Sequence, residues 1–224
     1  MDAGGWYSGH PEGVKLVISI DDASAGDVEI CELLSKYGLQ SKTILYWPVY
    51  PNVVNGTKGR DSLTFSQMYR LSSEYQIGSH SLTHPKLTRI PLEQAKNEMV
   101  SSRKMLQDSF GQAVFSFCYP RGYSNPEIQL IAKEAGYTSA RGVTVGYLHE
   151  SENPFDQKTT VHCGYDRKEY GGMTWFDYAI YMLQEARKIE NPVYHAWLHS
   201  YELLAYPNGL KLFESLLKEL VDAV

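Results

Sequence analysis

The sequence has few cysteines, no long cationic run and no long apolar run. Its three cysteines, Cys31, Cys118 and Cys163, are widely spaced and form no CxxC pair, which argues against a structural zinc site and favours free thiols. No stretch approaches the roughly 20 apolar residues that a membrane span needs. Lysine and arginine never occur in runs longer than two, and the formal net charge is -5. A nucleic-acid-binding protein, which usually carries a basic patch, is therefore not expected.

The sequence also lacks a linker and a secretory leader. No Pro/Gly/Ser-rich stretch divides the 224 residues, so we expect one domain over residues 1–224, long enough for a substantial core. Residues 1–13 are polar and contain no apolar signal core. A cytoplasmic location is expected for the sequence as written, and an extracytoplasmic one if a leader has been removed. The pattern does not indicate an oligomeric state.

Apolar segments rich in β-branched residues alternate with amphipathic segments along most of the chain. They predict strands at about 14–20, 42–47, 76–79, 114–118, 137–141 and 192–198, with shorter candidates near 143–148 and 159–163. They predict helices at about 26–37, 64–75, 91–110, 125–136, 174–189 and 208–221, and a loop over 48–63. This alternation is typical of an α/β fold with parallel strands, in a barrel or an open sheet. About seven units fit the length, fewer than an eight-fold barrel needs.

Polar residues with chemical potential follow four of the predicted strands. The carboxyl ends of parallel strands share one rim, where ligands bind, so these residues are expected to meet in one cleft. They are Asp21 and Asp22, His80 and His84, Pro120, Arg121 and Gly122, and His199.

Residues 80–84 (HSLTH) place two histidines four positions apart. This spacing puts both imidazoles on one side of a helical turn, but Pro85 disfavours helical geometry at His84. A tight turn after the strand is therefore expected. A catalytic zinc needs a third protein ligand and an open position for water, and Asp22 is the natural candidate. The alternative interpretation is a coincidental pair of surface histidines.

Asp21 and Asp22 are adjacent, and on a regular strand they would face opposite sides of the sheet. At a strand end both can turn toward one cleft, one to bind a cation and the other to accept a proton. The alternative interpretation is a polar turn that caps the next helix.

In this order, these residues resemble the NodB-homology polysaccharide deacetylases, carbohydrate esterase family four. Residues 19–22 (SIDD) resemble the family's first motif, T-F-D-D, and residues 80–84 match its second, H-[ST]-x-x-H, in full. The resemblance spans about residues 15–220 and implies a distorted (β/α)7 barrel in one domain. It also implies a hydrolase that removes an N-acetyl group from an amino sugar or an N-acetylglucosamine-containing glycan, so the expected partner is a carbohydrate substrate.

The resemblance implies a role for each matching residue. Asp21 is the general base, His199 is the general acid, and Asp22, His80 and His84 bind one divalent metal ion. Zinc suits this ligand set, and so do cobalt, nickel and manganese. Such an ion polarises an amide carbonyl and lowers the pKa of water, while a histidine with a pKa near neutral suits protonation of the amine.

Two motifs depart from the family pattern. The third, R-x-P-[YF], is replaced here by residues 118–121 (CYPR). Arg121 inherits the aromatic residue's oxyanion role through its backbone N–H, with Tyr119 on the substrate side. The Arg121 side chain either restores the missing arginine's contact with Asp21 or faces solvent. In the fifth motif, L-x-H, Trp197 replaces the leucine that lines the acyl pocket, which indicates a reshaped pocket.

The family's fourth motif, with its Asp-Trp pair, is absent. Residues 141–166 contain Arg141, His149, Glu150, His162 and Asp166, but not in that pattern. The group that tunes His199 is therefore unidentified, and Glu202 either orients His199 or faces solvent. His195 is expected to be a buried structural histidine, and His10 has no partner in the sequence pattern.

Two other functions remain open. A related amidohydrolase could cleave a non-glycan C–N bond, as a deformylase or as a metal-free hydrolase of cyclic imides or ureides. The intact Asp-His-His set disfavours the metal-free version. A non-catalytic glycan-binding relative is the other alternative, and the presence of both Asp21 and His199 argues against it.

Overall fold

The computed structural model describes residues 13–56 and 58–223. The polar N-terminal segment, with His10, lies outside the described residues, as do residues 57 and 224. Seven strands occur within the described part of the chain. They are β1 (Lys15–Asp21), β2 (Thr43–Trp47), β3 (Gln76–Ser79), β4 (Ser116–Cys118), β5 (Ser139–Arg141), β6 (Val161–Cys163) and β7 (Val193–Leu198).

The strands form one sheet in which every pairing is parallel. The order is β5-β4-β3-β2-β1-β7-β6. The chain therefore runs outward from β1 to β5 at one edge of the sheet, continues at the opposite edge with β6, and places the last strand, β7, beside β1. A parallel bridge between Arg141 and Gln157 links the β5 edge to the segment that leads into β6. The expected fold class, a single-domain distorted (β/α)7 barrel, is confirmed; the bounds 1–224 stay a prediction.

Helices connect the strands and cover the sheet. They are α1 (Asp27–Lys36), α2 (Pro51–Gly56), α3 (Phe65–Ser72), α4 (Leu92–Phe110), α5 (Pro126–Glu134), α6 (Trp175–Ala186), α7 (Ser200–Ala205) and α8 (Gly209–Val221). Local residues fix several of their ends. Thr64 and Gln67 form a capping box at the start of α3, and the Asn125 side chain caps α5. Gly111 ends α4 in the left-handed conformation, with φ 67°.

Three local predictions were wrong. The predicted loop over 48–63 contains the short helix α2, and α7 directly follows β7 where no helix was expected. The candidate strand near 143–148 does not form. Its backbone bonds irregularly to residues 159–160, through Gly146 and Tyr147, and Gly146 has φ 90°, which a regular strand cannot contain.

The core consists of the strands and the helix faces that pack on them. All six residues of β7 and six of the seven in β1 are buried, as expected for strands covered on both faces. The three cysteines are buried and free, in agreement with the sequence analysis. Among the described residues, no helix is long and apolar enough to cross a bilayer. Several of the buried polar residues, among them Asp21, Asp22 and His80, lie at the ends of strands.

Candidate metal centre and active site

The end of β1 departs from strand geometry at the two aspartates. Asp22 and Ala23 have left-handed backbones, with φ 78° and φ 52°, and the side-chain amide of Asn55 donates a 2.9 Å hydrogen bond to the Asp22 carbonyl. The left-handed turn cancels the alternation of a regular strand. Both carboxylates therefore line the same pocket.

The two motif histidines lie on a tight turn after β3, as predicted from Pro85. Ser81 and His84 have left-handed backbones, and the His84 N–H donates to Ser81 Oγ at 2.9 Å. Glu98, on α4, fixes the middle of the turn. Its Oε2 accepts from the backbone N–H groups of Leu82 and Thr83, at 2.8 and 3.0 Å.

Asp22, His80 and His84 present three donor atoms to one point. Asp22 Oδ1 lies 3.6 Å from His80 Nε2 and 3.4 Å from His84 Nε2. Two ligand atoms that are each about 2.1 Å from a tetrahedral ion are about 3.4 Å apart. His80 Nδ1 donates to the Cys118 carbonyl at 2.7 Å, which leaves the lone pair of Nε2 for the site.

The carboxylate of Asp22 supplies the test of whether a cation fits. Both of its oxygens are buried and accept no hydrogen bond from the described residues, and Lys58 Nζ and Arg60 Nη2 lie 3.7 and 3.8 Å from Oδ2, beyond hydrogen-bond distance. A cation bound directly to the carboxylate would satisfy these buried oxygens. Burial alone raises the pKa of Asp22, but the charges of His199, His80 and His84 outweigh it and lower the pKa to about 2. Burial, followed by the nearby His80, lowers the pKa of His84 to about 3. The ligands are therefore deprotonated near neutral pH, as metal binding requires.

Asp21 is paired with an arginine that the sequence analysis did not assign. Arg141, buried at the end of β5, donates to Asp21 Oδ1 at 2.5 Å and to Ser19 Oγ at 3.0 Å. Burial raises the pKa of Asp21, but the Arg141 charge outweighs it and the net shift is downward. Asp21 is thereby kept ionised, as a base must be. The idea that the Arg121 side chain contacts Asp21 is wrong, since Arg121 is exposed and Arg141 fills that place.

Strand pairing explains how Arg141 replaces the missing motif arginine. In the segment 118–121, Cys118 stands where the family pattern has arginine. Cys118 and Arg141 are register partners on β4 and β5, and Cys118 Sγ lies 3.5 Å from Asp21 Oδ2. The guanidinium thus reaches Asp21 from the neighbouring strand. A charged residue in a short, otherwise uncharged predicted strand was the available sequence signal.

His199 is oriented by Glu202, which settles one alternative left open by the sequence. His199 Nδ1 lies 2.5 Å from Glu202 Oε2, and His162 Nε2 lies 2.9 Å from the same oxygen. Burial lowers the pKa of His199, but the hydrogen bond to Glu202 and the charge of Asp22 outweigh it and the net shift is upward. The role of His162, on β6, was not predicted, because its distance from Glu202 along the chain left no local pattern.

The residues assigned to the substrate side lie around the same pocket. Tyr119, Arg121 and Trp197 all line it. The Tyr119 hydroxyl donates to the Phe155 carbonyl at 2.9 Å, and its ring packs edge-on against Phe117. The Trp197 ring stacks on His162, with centroids 3.7 Å apart.

His195 lies deeper, as expected. It is buried, and its Nε2 lies 2.9 Å from Ser19 Oγ. Ser19 Oγ also accepts a hydrogen bond from Arg141, so His195 supports the arginine through this serine. His195 is therefore part of the scaffold under the base and does not line the pocket.

Together, the fold and site define a class of protein. An Asp-His-His donor set, a buried ionised aspartate and a carboxylate-bound histidine meet at the carboxyl ends of the strands of a parallel α/β barrel, the end where ligands bind in such folds. The family model for polysaccharide deacetylases matches residues 9–140. The chain belongs to the polysaccharide deacetylase family.

Solved structures support the fold at low sequence identity. A family 4 carbohydrate esterase from Streptomyces lividans, in complex with acetate, is 15% identical with a TM-score of 0.61, over 95% of this chain and 90% of that one. The Streptococcus pyogenes deacetylase PplD, also with acetate, is 17% identical with a TM-score of 0.55, over 64% and 62%. A CE4 family pseudoenzyme from Bacillus anthracis is 16% identical with a TM-score of 0.60, over 96% and 63%.

This chain spans less than two thirds of the Streptococcus and Bacillus chains. A comparison with curated proteins gives no match. Because one structural neighbour is a pseudoenzyme, the fold alone does not establish catalysis in this chain. Activity in this chain depends on its own site residues.

Proposed function

We propose that this protein is a metal-dependent hydrolase that removes the N-acetyl group from an amino sugar or an N-acetylglucosamine-containing glycan. The observation that carries the proposal is the buried carboxylate of Asp22, which accepts no hydrogen bond from the described residues, beside His80 and His84. Asp21 and His199 line the same pocket. Family membership supports the chemistry, and the acetate complexes of two structural neighbours support the acyl group.

Asp22, His80 and His84 would hold one divalent ion, with zinc favoured and cobalt, nickel or manganese as alternatives. When bound, such an ion polarises the amide carbonyl and lowers the pKa of water. Neighbouring groups of the protein hold these ligands in place. The Cys118 carbonyl fixes the ring of His80, and Glu98 fixes the turn that carries His84.

The remaining residues move the protons. Asp21, held ionised by Arg141, accepts a proton from the attacking water as the C–O bond forms. The backbone N–H of Arg121 stabilises the negative charge that develops on the acyl oxygen. His199, oriented by Glu202, gives a proton to the nitrogen as the C–N bond breaks. The products are acetate and the free amine.

The two alternatives differ from this proposal in measurable ways. A metal-free amidohydrolase would hold no divalent ion and would resist chelators. A deformylase would release formate in place of acetate. A binding relative would retain glycans without releasing either acid. The presence of Asp21, its partner Arg141 and the His199–Glu202 pair favours an enzyme over a binding protein.

The test combines metal analysis with product analysis. We expect the purified protein to contain one divalent ion, to release acetate from N-acetylglucosamine oligomers or peptidoglycan fragments, and to lose activity with chelator. Asp21→Asn should lower kcat by about 10² to 10⁴, the typical contribution of a general base. Asp108→Asn, at an exposed position on α4, is the matched control.

The outcomes separate the hypotheses. A protein without divalent metal whose activity survives chelation would overturn the metal mechanism. Acetate release by Asp21→Asn at the native rate would remove Asp21 from the role of base. Glycan binding without acid release would support the non-catalytic alternative.

A further inference from the structure

Three cationic side chains surround the mouth of the metal centre. Lys58 and Arg60 belong to the loop after α2, and Arg121 follows β4; we call these three residues the cationic rim. Lys58 Nζ and Arg60 Nη2 lie 3.7 and 3.8 Å from Asp22 Oδ2, and both Lys58 and Arg121 line the pocket. The rim thus reaches the place where the substrate must bind.

Once Asp22 binds a metal, none of the described carboxylates remains to balance the charges of the rim. Within the described part of the chain, Asp22 is the acidic group at ion-pair distance from Lys58 and Arg60. The other acidic side chains near the pocket are already engaged. Asp21 binds Arg141, and Glu202 binds two histidines.

Arg60 is held rigidly but is incompletely hydrogen-bonded. Its guanidinium carbon lies 3.3 Å from the centroid of the Tyr201 ring, a cation–π stack that fixes the plane of the group. Its Nε and Nη2 atoms are buried and have no hydrogen-bond partner among the described residues. Its Nη2 lies 3.8 Å from Asp22 Oδ2, so this fixed charge lies beside the metal-ligand candidate and adds to the positive potential of the pocket.

The positive charge of the rim contrasts with the overall charge of the protein. The protein carries a formal net charge of -5, yet the pocket mouth is cationic. Because Asp21 is paired with Arg141, a divalent ion held by Asp22 would leave the charges of the rim uncompensated. In a pocket partly shielded from solvent, this imbalance favours an anionic ligand over a neutral one.

We propose that the substrate carries an anionic group, a carboxylate or a phosphate, near its N-acetyl group, and that Lys58, Arg60 and Arg121 stabilise that group. This inference rests on the proposed deacetylase function and narrows its substrate class to anionic amino sugars. Lys58 and Arg121, which line the pocket, would contact the anionic group, and Arg60 adds a fixed charge behind them.

The test uses the metal-loaded protein and four oligosaccharides of equal length. They are a neutral chitin tetramer, a phosphorylated chitin tetramer, a tetramer with N-acetylmuramic acid, and the methyl ester of that last compound. The ester keeps the shape and removes the charge. We expect kcat/KM for an anionic compound to exceed that of its neutral counterpart by about tenfold or more, as one charge-assisted contact allows. High salt should reduce the ratio, and the preferred compound distinguishes carboxylate from phosphate.

Variants assign the preference to the rim. Lys58→Gln and Arg60→Gln should each lower the anionic-to-neutral ratio several-fold, by about the worth of one charge-assisted contact. Arg60→Lys should keep most of the ratio, because lysine retains the charge, although it loses the planar stack on Tyr201. Lys218→Gln, on the outer helix α8 and exposed, should leave the ratio unchanged. A wild-type ratio near one, or a ratio that both rim variants leave intact, would overturn the inference.

A failure of the deacetylase proposal can be distinguished from a failure of the anion-site inference. If no compound releases acetate, calorimetric binding of the same four compounds to the metal-loaded Asp21→Asn protein still tests the rim. Tighter binding of the anionic compounds, lost in Asp21→Asn/Arg60→Gln, would support the rim as an anion site. Equal binding of charged and neutral compounds would refute it.

Discussion

One carboxylate oxygen joins two imidazoles at the edge of the pocket. Glu202 Oε2 lies within hydrogen-bond distance of both His199 and His162. Burial raises the pKa of Glu202, but the hydrogen bonds from both histidines outweigh it and hold the pKa well below its usual range. Glu202 is thus a fixed anion that orients His199 and supports its protonated form.

Glu202→Gln should therefore impair the general acid. The amide keeps the size of the side chain but removes the charge that favours protonated His199. We expect kcat to fall by about 10- to 100-fold, a part of the full contribution of general acid catalysis, with metal content unchanged. Glu219→Gln, exposed on α8, is the control. An unaltered kcat would mean that Glu202 has only a structural role.

At the scale of elements, the pairing of β4 with β5 determines how the base is held. The short strands place Cys118 and Arg141 side by side, with the arginine stacked near the rings of Tyr46 and Trp197, its guanidinium carbon 4.8 and 5.4 Å from the two centroids. One strand can therefore supply the charge that the family pattern places on the other.

Exchanging the two residues tests this relation. Arg141→Ala should lower kcat by at least about tenfold, because Asp21 loses a charge-assisted hydrogen bond. The double variant Cys118→Arg/Arg141→Cys returns the guanidinium from β4 and should recover part of that loss. Circular dichroism should verify that each variant is folded. If the folded double variant is no more active than Arg141→Ala, the strand that supplies the guanidinium matters as much as its charge.

The turn between the motif histidines depends on α4. Glu98 accepts two backbone N–H groups and the Thr83 hydroxyl, the last at 2.7 Å. These bonds satisfy donors in a turn whose left-handed residues give it no regular partner. The spacing of His80 and His84 therefore depends on a side chain from the following helix.

Glu98→Ala should loosen this turn and weaken metal binding. Removing the support of metal ligands typically costs about 10- to 100-fold in affinity, and the unpaired N–H groups should destabilise the fold by about 1–3 kcal/mol. Competition with a chelator measures the affinity, and thermal unfolding of the metal-free protein measures the stability. Glu93→Ala, exposed in the first turn of the same helix, is the control. Native affinity in Glu98→Ala would show that the turn holds itself.

At the scale of the whole molecule, the three proposed metal ligands connect distant parts of the sheet. Asp22 follows β1 and the two histidines follow β3, with β2 between these strands. An ion bound there ties together segments that separate when the protein unfolds. Binding to the folded state alone should therefore raise the unfolding temperature.

Thermal unfolding with and without metal tests this coupling. At a free metal concentration of 100 times Kd, the expected gain is about 2.7 kcal/mol. Adding the ion to chelator-treated protein should raise Tm, and Asp22→Asn should abolish the increase. A Tm that metal does not change in the wild type would contradict an Asp22-centred site.

Most of the fold was predictable because its determinants are local. Apolar runs and their caps gave the seven strands and six of the eight helices, since periodicity and capping act within a few residues. The helix α7 follows β7 without a break and is only six residues long, so no separate pattern marked it. The strand prediction near 143–148 was wrong because the pairing of the irregular segment 142–160 depends on glycines in unusual conformations.

The sequence by itself determined the chemical core: the aspartate pair, the two motif histidines, His199, and the α/β order that brings them together. Their spacing is local, and the carboxyl ends of the parallel strands bring them to one edge of the sheet. Only the tertiary structure decided which residues hold them. Arg141 meets Asp21 across 120 positions of the chain, and His162 meets Glu202 across 40. Such contacts depend on strand order and register, which side chains far apart in sequence set together and no single segment encodes.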